Sequence, residues 1–186
     1  MLPVQNIYQQ LLTTLQSNPI TLLQAPPGAG KSTWLPLQLV RDGHFKRIVM
    51  LEPRRLAARN IANYLAQCQN EKVGQSVGLR VRGESKVGSN TRLEIVTEGM
   101  LTRMLQNDPE LSDIDLLIFD EFHERLANPD CASLHANPSP EKQAYWTSLR
   151  TSDAFVPPKP KLLDMAARTR PFLALCGIRS RTVSKL

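Results

Sequence analysis

The spacing of apolar positions changes along the chain, and the changes predict its elements. Val4, Ile7, Tyr8, Leu11, Leu12 and Leu15 recur at three and four, which predicts one buried face of a helix that ends before Pro19. ITLLQA (20–25) is then a short apolar run broken by Pro26, Pro27 and Gly28, after which KSTWLPLQLV (31–40) resumes a helical pattern. RIVMLE (47–52) reads as a second buried strand, and Ala57, Ile61, Tyr64, Leu65 and Cys68 form the apolar stripe of the helix after it. VGLRV (77–81) and LEIVT (93–97) predict shorter strands around a turn rich in Gly, Ser and Asn. EGMLTRMLQ (98–106) predicts a helix that stops near Asn107 and Pro109, and DLLIFD (115–120) is a strongly apolar strand that ends in a carboxylate, with a second one next to it.

Strands without polar alternation, separated by helices, predict an α/β fold with a mainly parallel sheet covered on both faces. In such sheets ligands sit at the carboxyl ends of the strands. Two features here follow strand ends: the glycine-containing loop after residue 24 and the carboxylate pair Asp120 and Glu121.

Composition narrows the class. A chain of 186 residues fits one sizeable core, and 41% hydrophobic with 22% charged residues is ordinary for a folded body. No apolar run reaches the roughly 18 residues of a membrane span, and MLPVQNIYQQ has neither the basic flank nor the apolar centre of an export signal. A cytoplasmic protein with no membrane partner is expected. Cys68, Cys131 and Cys176 are odd in number and lack metal-ligand spacing, so reduced thiols are expected in place of a disulfide framework or a zinc site.

The net charge of +6 says less about nucleic acid than it first suggests. Residues 1–125 carry 14 Lys and Arg against 13 Asp and Glu, whereas residues 126–186 carry 9 against 4. The excess lies in a tail whose texture differs: seven of the fourteen prolines fall after Arg125, but only one of the nine glycines does. NPSPEKQ and VPPKPK interrupt periodicity there, leaving LLDMAARTR as a short helix and PFLALCGI as an apolar stub.

The chemistry is concentrated in the loop. Ala25, Pro26, Pro27, Gly28, Ala29, Gly30, Lys31 and Ser32 follow the phosphate-loop pattern, with Ala25 where a first glycine usually stands. Gly28 and Gly30 let the backbone turn its N–H groups inward, the next helix offers its positive end, and Lys31 supplies a charge for the β and γ phosphates. The Ser32 hydroxyl suits Mg²⁺. Asp120 and Glu121, 89 residues after Lys31, add what such a loop requires: one carboxylate for the magnesium shell and one to orient or deprotonate the attacking water. Without the loop, the pair reads as a solvated turn or a helix cap.

APPGAGKS (25–32), EPRRLAARNIA (52–62), TEGML (97–101) and DEFHER (120–125) together resemble the first RecA-like domain of a superfamily 2 DExH/DEAH-box RNA helicase. Phe122 and VGLRVRGES (77–85) make the bacterial HrpB type of ATP-dependent helicase the nearest likeness. The resemblance covers residues 1–125 and implies ATP and Mg²⁺ as ligands, with single-stranded RNA held by its backbone. It implies motif I at residues 25–32 and motif II at Asp120, Glu121, Phe122 and His123. Asp120 and Glu121 are then metal-binding and catalytic, and His123 relays the nucleotide state, although alone it also reads as a core histidine. Pro53, Arg54 and Arg55 match motif Ia, and Thr97, Glu98 and Gly99 match motif Ib, both RNA-backbone contacts in the family. As bare residues, Arg54 and Arg55 also suit a solvated helix start, and alternation on a strand accounts for Arg80 and Arg82.

The likeness stops after Arg125. A Ser-Ala-Thr motif, the arginine-bearing motif VI and a second RecA-like domain are all missing from the sequence, and SLHA (133–136) stands displaced by LANPDCA. The expectation is a RecA-like domain over 1–125, lacking the strand that carries Ser-Ala-Thr and so leaving an exposed sheet edge, followed by an irregular Pro-rich tail over 126–186. Two origins of the tail stay open: sequence read out of frame, or a genuine basic terminus that contacts nucleic acid or a partner. An ATP-dependent RNA helicase fragment with impaired turnover is the implied function, and a non-catalytic nucleotide- or RNA-binding remnant is the alternative. A small-molecule kinase is disfavoured by the Asp-Glu-x-His signature.

Overall fold

The computed structural model describes residues 2–18, 20–120, 161–166 and 183–185. The leading helix forms in two pieces, α1 (Pro3–Asn6) and α2 (Tyr8–Ser17), which break at Ile7. Its expected face is buried: Val4, Tyr8, Leu11, Leu12 and Leu15 are all at most 6% exposed. Next come β1 (Ile20–Gln24), α3 (Trp34–Asp42), β2 (Ile48–Leu51), α4 (Arg55–Gln67), β3 (Val77–Val81), β4 (Glu84–Lys86), β5 (Leu93–Val96), α5 (Glu98–Asn107), β6 (Leu116–Asp120), β7 (Lys161–Ala166) and β8 (Val183–Lys185).

The strands form one eight-stranded sheet in the order β4-β3-β5-β2-β6-β7-β1-β8. Every neighbouring pair is parallel except the β3–β4 hairpin. The fold is therefore α/β with a mostly parallel sheet, as the uninterrupted apolar runs predict. All four residues of β2 are buried and point alternately to two cores. On one face Ile48 and Met50 join Ile95, Leu116 and Ile118 beneath Leu35 and Leu39 of α3 and Leu65 of α4. On the other, Val49 and Leu51 join Val96, Leu117 and Phe119 beneath Leu101 of α5 together with Leu111 and Ile114. Each such fully buried side chain contributes about 1.5–3 kcal/mol, so the sheet centre is the most stable frame available for groups at its rim.

The buried face of α4 is Ala58, Ala62, Leu65 and Ala66, whereas Tyr64 is 52% exposed and Cys68 is exposed. Ile61 and Leu65 of the expected stripe do pack on the core, but the face is rotated away from Tyr64 and Cys68 because small alanines at 58, 62 and 66 let the helix lie close to β3 and β5. In the tail, Lys161–Ala166 is a strand and not the start of a short helix. It lies between β6 and β1, with Leu117 opposite Leu162 and Leu22 opposite Asp164. The edge expected to be exposed beside β6 is therefore paired. The ladder bonds that two flanking strands offer outweigh the local helical preference of Leu, Met and Ala. PFLALCGI, Cys131 and Cys176 lie outside the described residues.

Candidate functional site

All the strands that carry candidate residues run in one direction, so their carboxyl ends share one rim of the sheet. The phosphate-loop candidate leaves the end of β1, Pro53–Arg55 follows β2, Thr97–Gly99 follows β5, and Asp120 is the last residue of β6. Neighbouring strands lie about 4.8 Å apart, which places β6 roughly 10 Å from β1, β2 roughly 14 Å and β5 roughly 19 Å. Asp120 is paired with Met165, whose other partner, Leu23, immediately precedes Gln24. The carboxylate thus stands level with the root of the loop, and the candidate RNA contacts form a separate group further along the rim.

The loop departs from β1 at the buried Ala25, exposes Pro26, Pro27 and Gly28, then turns inward at the buried Ala29, Gly30 and Lys31. Its reversal uses left-handed backbone at two residues, Gly28 with φ 76° and Gly30 with φ 92°. Other side chains avoid that region, which is why glycine is found at both positions. Ala29 N–H closes a turn on the Pro26 carbonyl at 3.3 Å, and the Gly30 carbonyl accepts from Leu35 N–H at 3.0 Å. Among the described residues, the N–H groups of Gly28, Gly30, Lys31, Ser32 and Thr33 have no hydrogen-bond partner. A run of unpaired N–H donors wound around a turn, next to a helix start, is an anion-binding concavity.

Lys31 is 4% exposed, and its ammonium donates to the carbonyls of Ala25 at 2.7 Å and Pro26 at 3.0 Å. A buried cation is tolerated only with such partners. Both acceptors belong to the loop itself, so Lys31 is held within it. Ser32 is half-buried beside Lys31, and Asp120 is 2% exposed. Among the described residues no three metal-ligating side chains cluster. Glu121, Phe122 and His123 lie outside the described residues.

The second group is more open. Arg54 is the exposed residue preceding α4, and the Arg55 guanidinium donates to the Arg82 carbonyl at 2.7 Å, which ties the start of α4 to the β3–β4 turn. Arg59 adds an ion pair to Glu84 at 2.7 Å. Thr97 is 7% exposed and precedes α5, its carbonyl accepting from Met100 and Leu101 N–H, while Glu98 and Gly99 are exposed. A Cβ added to Gly99 would meet nothing within 4 Å, so the backbone there is open to close approach. Arg80 is not an outward alternating charge: its Nε lies 2.6 Å from Oε1 of Glu94, which is 1% exposed, and Arg47 stands 3.6 Å from the other oxygen. These contacts are ion pairs without aligned hydrogen bonds.

Sequence reasoning missed the attachment of the N-terminal segment to the loop. Val4 N–H donates to the Ala29 carbonyl at 3.3 Å, and the Tyr8 ring meets Trp34 edge-on at 5.3 Å and 81°. The Tyr8 hydroxyl donates to Asp42 at 2.5 Å, and its pKa is pushed up, first by burial and then by that carboxylate. Only the apolar period of residues 4–15 signalled a packed helix, and that period does not say against what.

The sequence model of a family described as DEAD/DEAH box helicase matches residues 5–148. The chain is similar to the ATP-dependent RNA helicase HrpB of Escherichia coli (strain K12), with 59% identity over 132 residues, 70% of this chain and 16% of that protein. It is similar also to the ATP-dependent RNA helicase HrpA of Borreliella burgdorferi, with 34% identity over 131 residues, 69% of this chain and 16% of that protein. The crystal structure of Escherichia coli DEAH/RHA helicase HrpB superposes with a TM-score of 0.81 at 45% identity, covering 100% of this chain and 22% of that one. The chain therefore spans 16% of the length of these curated relatives. No described helix is long and apolar enough to cross a membrane.

Proposed function

Because this chain belongs to the DEAD/DEAH box helicase family, we propose that residues 25–32 bind the triphosphate of ATP and that the domain serves ATP-driven work on RNA. The observation that carries the reading is the loop itself: the N–H groups of Gly28 and of Gly30 to Thr33, without partners among the described residues, wrapped around a lysine buried on the loop's own carbonyls. Phosphate oxygens supply acceptors for all of these donors at once. Lys31 exchanges two neutral carbonyl partners for charged ones, and bonds to charged groups are about twice as strong.

Ser32 and Asp120 are the residues to hold Mg²⁺, since one is a hydroxyl at the loop and the other a buried carboxylate level with its root. Mg²⁺ held by these two residues would supply positive charge against the charge that develops on the phosphates. Glu121 orients or deprotonates the attacking water, and His123 relays the nucleotide state. Arg54, Arg55, Thr97, Glu98 and Gly99 hold the RNA backbone, giving affinity without base reading. Two sites on one rim let nucleotide state and RNA grip be linked through the sheet. The expected compartment is the cytoplasm, and the domain is assigned to residues 1–125. An arginine contributed across a domain cleft is worth roughly 10³–10⁵ in rate. Assayed without such an arginine, these 186 residues are expected to turn ATP over slowly.

The test is ATP turnover by the full chain with and without single-stranded RNA, alongside Glu121→Gln. Slow release of phosphate, raised by RNA and abolished in Glu121→Gln, is expected. Turnover indifferent to both would contradict the assignment.

A further inference from the structure

We infer that the N-terminal segment Leu2–Tyr8 is a positioning element for the phosphate loop: the Val4 N–H, with Leu2 packed beside it, holds the Ala29–Gly30 peptide in the orientation that presents the Gly30 N–H. The inference rests on residues 25–32 being a phosphate site. A trans peptide is planar, with its C=O and the following N–H pointing in opposite directions, and no cis bond occurs among the described residues. Fixing the Ala29 carbonyl toward α1 therefore turns the Gly30 N–H away from α1 and leaves it without a protein partner among the described residues. Rotating this peptide by half a turn would exchange that donor for a carbonyl oxygen, which repels phosphate.

Such a rotation turns about ψ of Ala29 and φ of Gly30, and Gly30, at φ 92°, has no Cβ of its own to oppose it. The N-terminal segment occupies the space the rotation needs. A Cβ built on Gly30 would stand 2.8 Å from Leu2 Cδ1 and 3.2 Å from Val4 Cγ1, so both side chains pack directly on this glycine. One turn further on, Tyr8 fastens the same segment to α3 through Trp34 and Asp42. Asp42 is itself steadied by Gln38 at 2.7 Å. The loop and the helix after it are thus held by one short stretch of chain, which is why Val4 packs on the loop and not only in the core. The Val4 N–H is also a donor without use inside its own helix, being in the first turn. It can be dedicated to the loop without weakening α1.

The bond is long at 3.3 Å, so its effect is moderate. Substituting Val4→Pro removes the N–H in the first turn of α1, where no intrahelical bond is lost, though it also disfavours helical backbone at Pro3, while Val4→Ala keeps the donor and loses only packing. Binding of Mg²⁺ with inorganic tripolyphosphate, and of Mg·ADP, is measured by calorimetry on the full chain together with the melting temperature. Val4→Pro is expected to weaken both ligands about threefold to tenfold. Val4→Ala is expected to stay within about twofold of the unsubstituted chain, since its N–H remains. Hydrogen exchange in the unsubstituted protein gives a reading that does not depend on the variant folding. Coupling is reciprocal, so saturating tripolyphosphate should slow exchange of the Val4 amide by a similar factor. A Val4→Pro variant that binds like Val4→Ala, or a Val4 amide indifferent to tripolyphosphate, overturns the inference. If the unsubstituted, folded chain binds neither ligand, the phosphate-site reading fails and takes the inference with it.

Discussion

Gly28 and Gly30 are both left-handed and two residues apart, yet they should respond differently to the same added methyl group. A Cβ on Gly28, at φ 76°, meets nothing within 4 Å, so Gly28→Ala costs only the left-handed backbone, about 1–2 kcal/mol. At Gly30, φ 92°, the methyl would stand 2.8 Å from Leu2 Cδ1, 3.2 Å from Val4 Cγ1 and 3.3 Å from Trp34 Cβ. The Leu2 methyl ends a flexible side chain and can move aside. Val4 and Trp34 are fixed closer to their backbones, so overpacking adds about 1–3 kcal/mol to a similar backbone cost. Urea unfolding should then show Gly30→Ala less stable than Gly28→Ala by at least about 1 kcal/mol, with equal slopes. In a protein of this size that is about 2–4 °C in melting temperature. Adding Leu2→Ala to Gly30→Ala should recover only a minor part. Equal losses for the two single variants would refute the reasoning, because they would mean that nothing packs on Gly30.

Arg80→Met should leave the Glu94 carboxylate buried with only Arg47 nearby and cost about 2–3 kcal/mol, below the full figure for a buried pair because Arg80 is 29% exposed. Adding Glu94→Gln should restore most of that loss in urea unfolding, and a double variant no better than the single would count against the pairing. Tyr8 predicts an alkaline limit. Its folded pKa lies above the ordinary value of 10.0, so its contribution is complete below about pH 10 and falls as pH rises beyond it. Tyr8→Phe should flatten that decline in melting temperature while lowering stability at neutral pH, and an unchanged alkaline slope would speak against it. Glu84 behaves in the opposite sense: Lys86 and then Arg59 hold its pKa below the ordinary 4.5, so its contribution is present above about pH 4.5 and is lost as pH falls below it. In a pH titration followed by NMR, Arg59→Ala should move the Glu84 midpoint upward.

Much of the sheet was legible because its strands are apolar on both faces: IVML, LEIV and LLIFD can be accommodated only where helices cover both sides. The carboxyl-end placement of the loop and of Asp120 followed from the same pattern. What escaped depended on partners distant in sequence. KLLDMA has the composition of a helix, and becomes β7 because β6 and β1 bracket it on both sides. ESK is too short and polar to stand out as β4, and exists only by pairing with β3. The alternation of VGLRV placed Arg80 outward, whereas the buried Glu94 on the neighbouring strand β5 draws it inward. The Val4–Ala29 bond had no signal at all, since it joins two backbone groups and no side-chain type records it.

The central claim is a triphosphate site at residues 25–32, and equilibrium binding of Mg·ATP to the full chain tests it most directly, with Lys31→Ala measured alongside and circular dichroism confirming that both are folded. Saturable binding that weakens at least tenfold in Lys31→Ala is the expected result, since a charge-assisted contact of about 1.5–3 kcal/mol is lost. A folded chain that does not bind, or a Lys31→Ala variant that binds as well as the parent, would contradict the account.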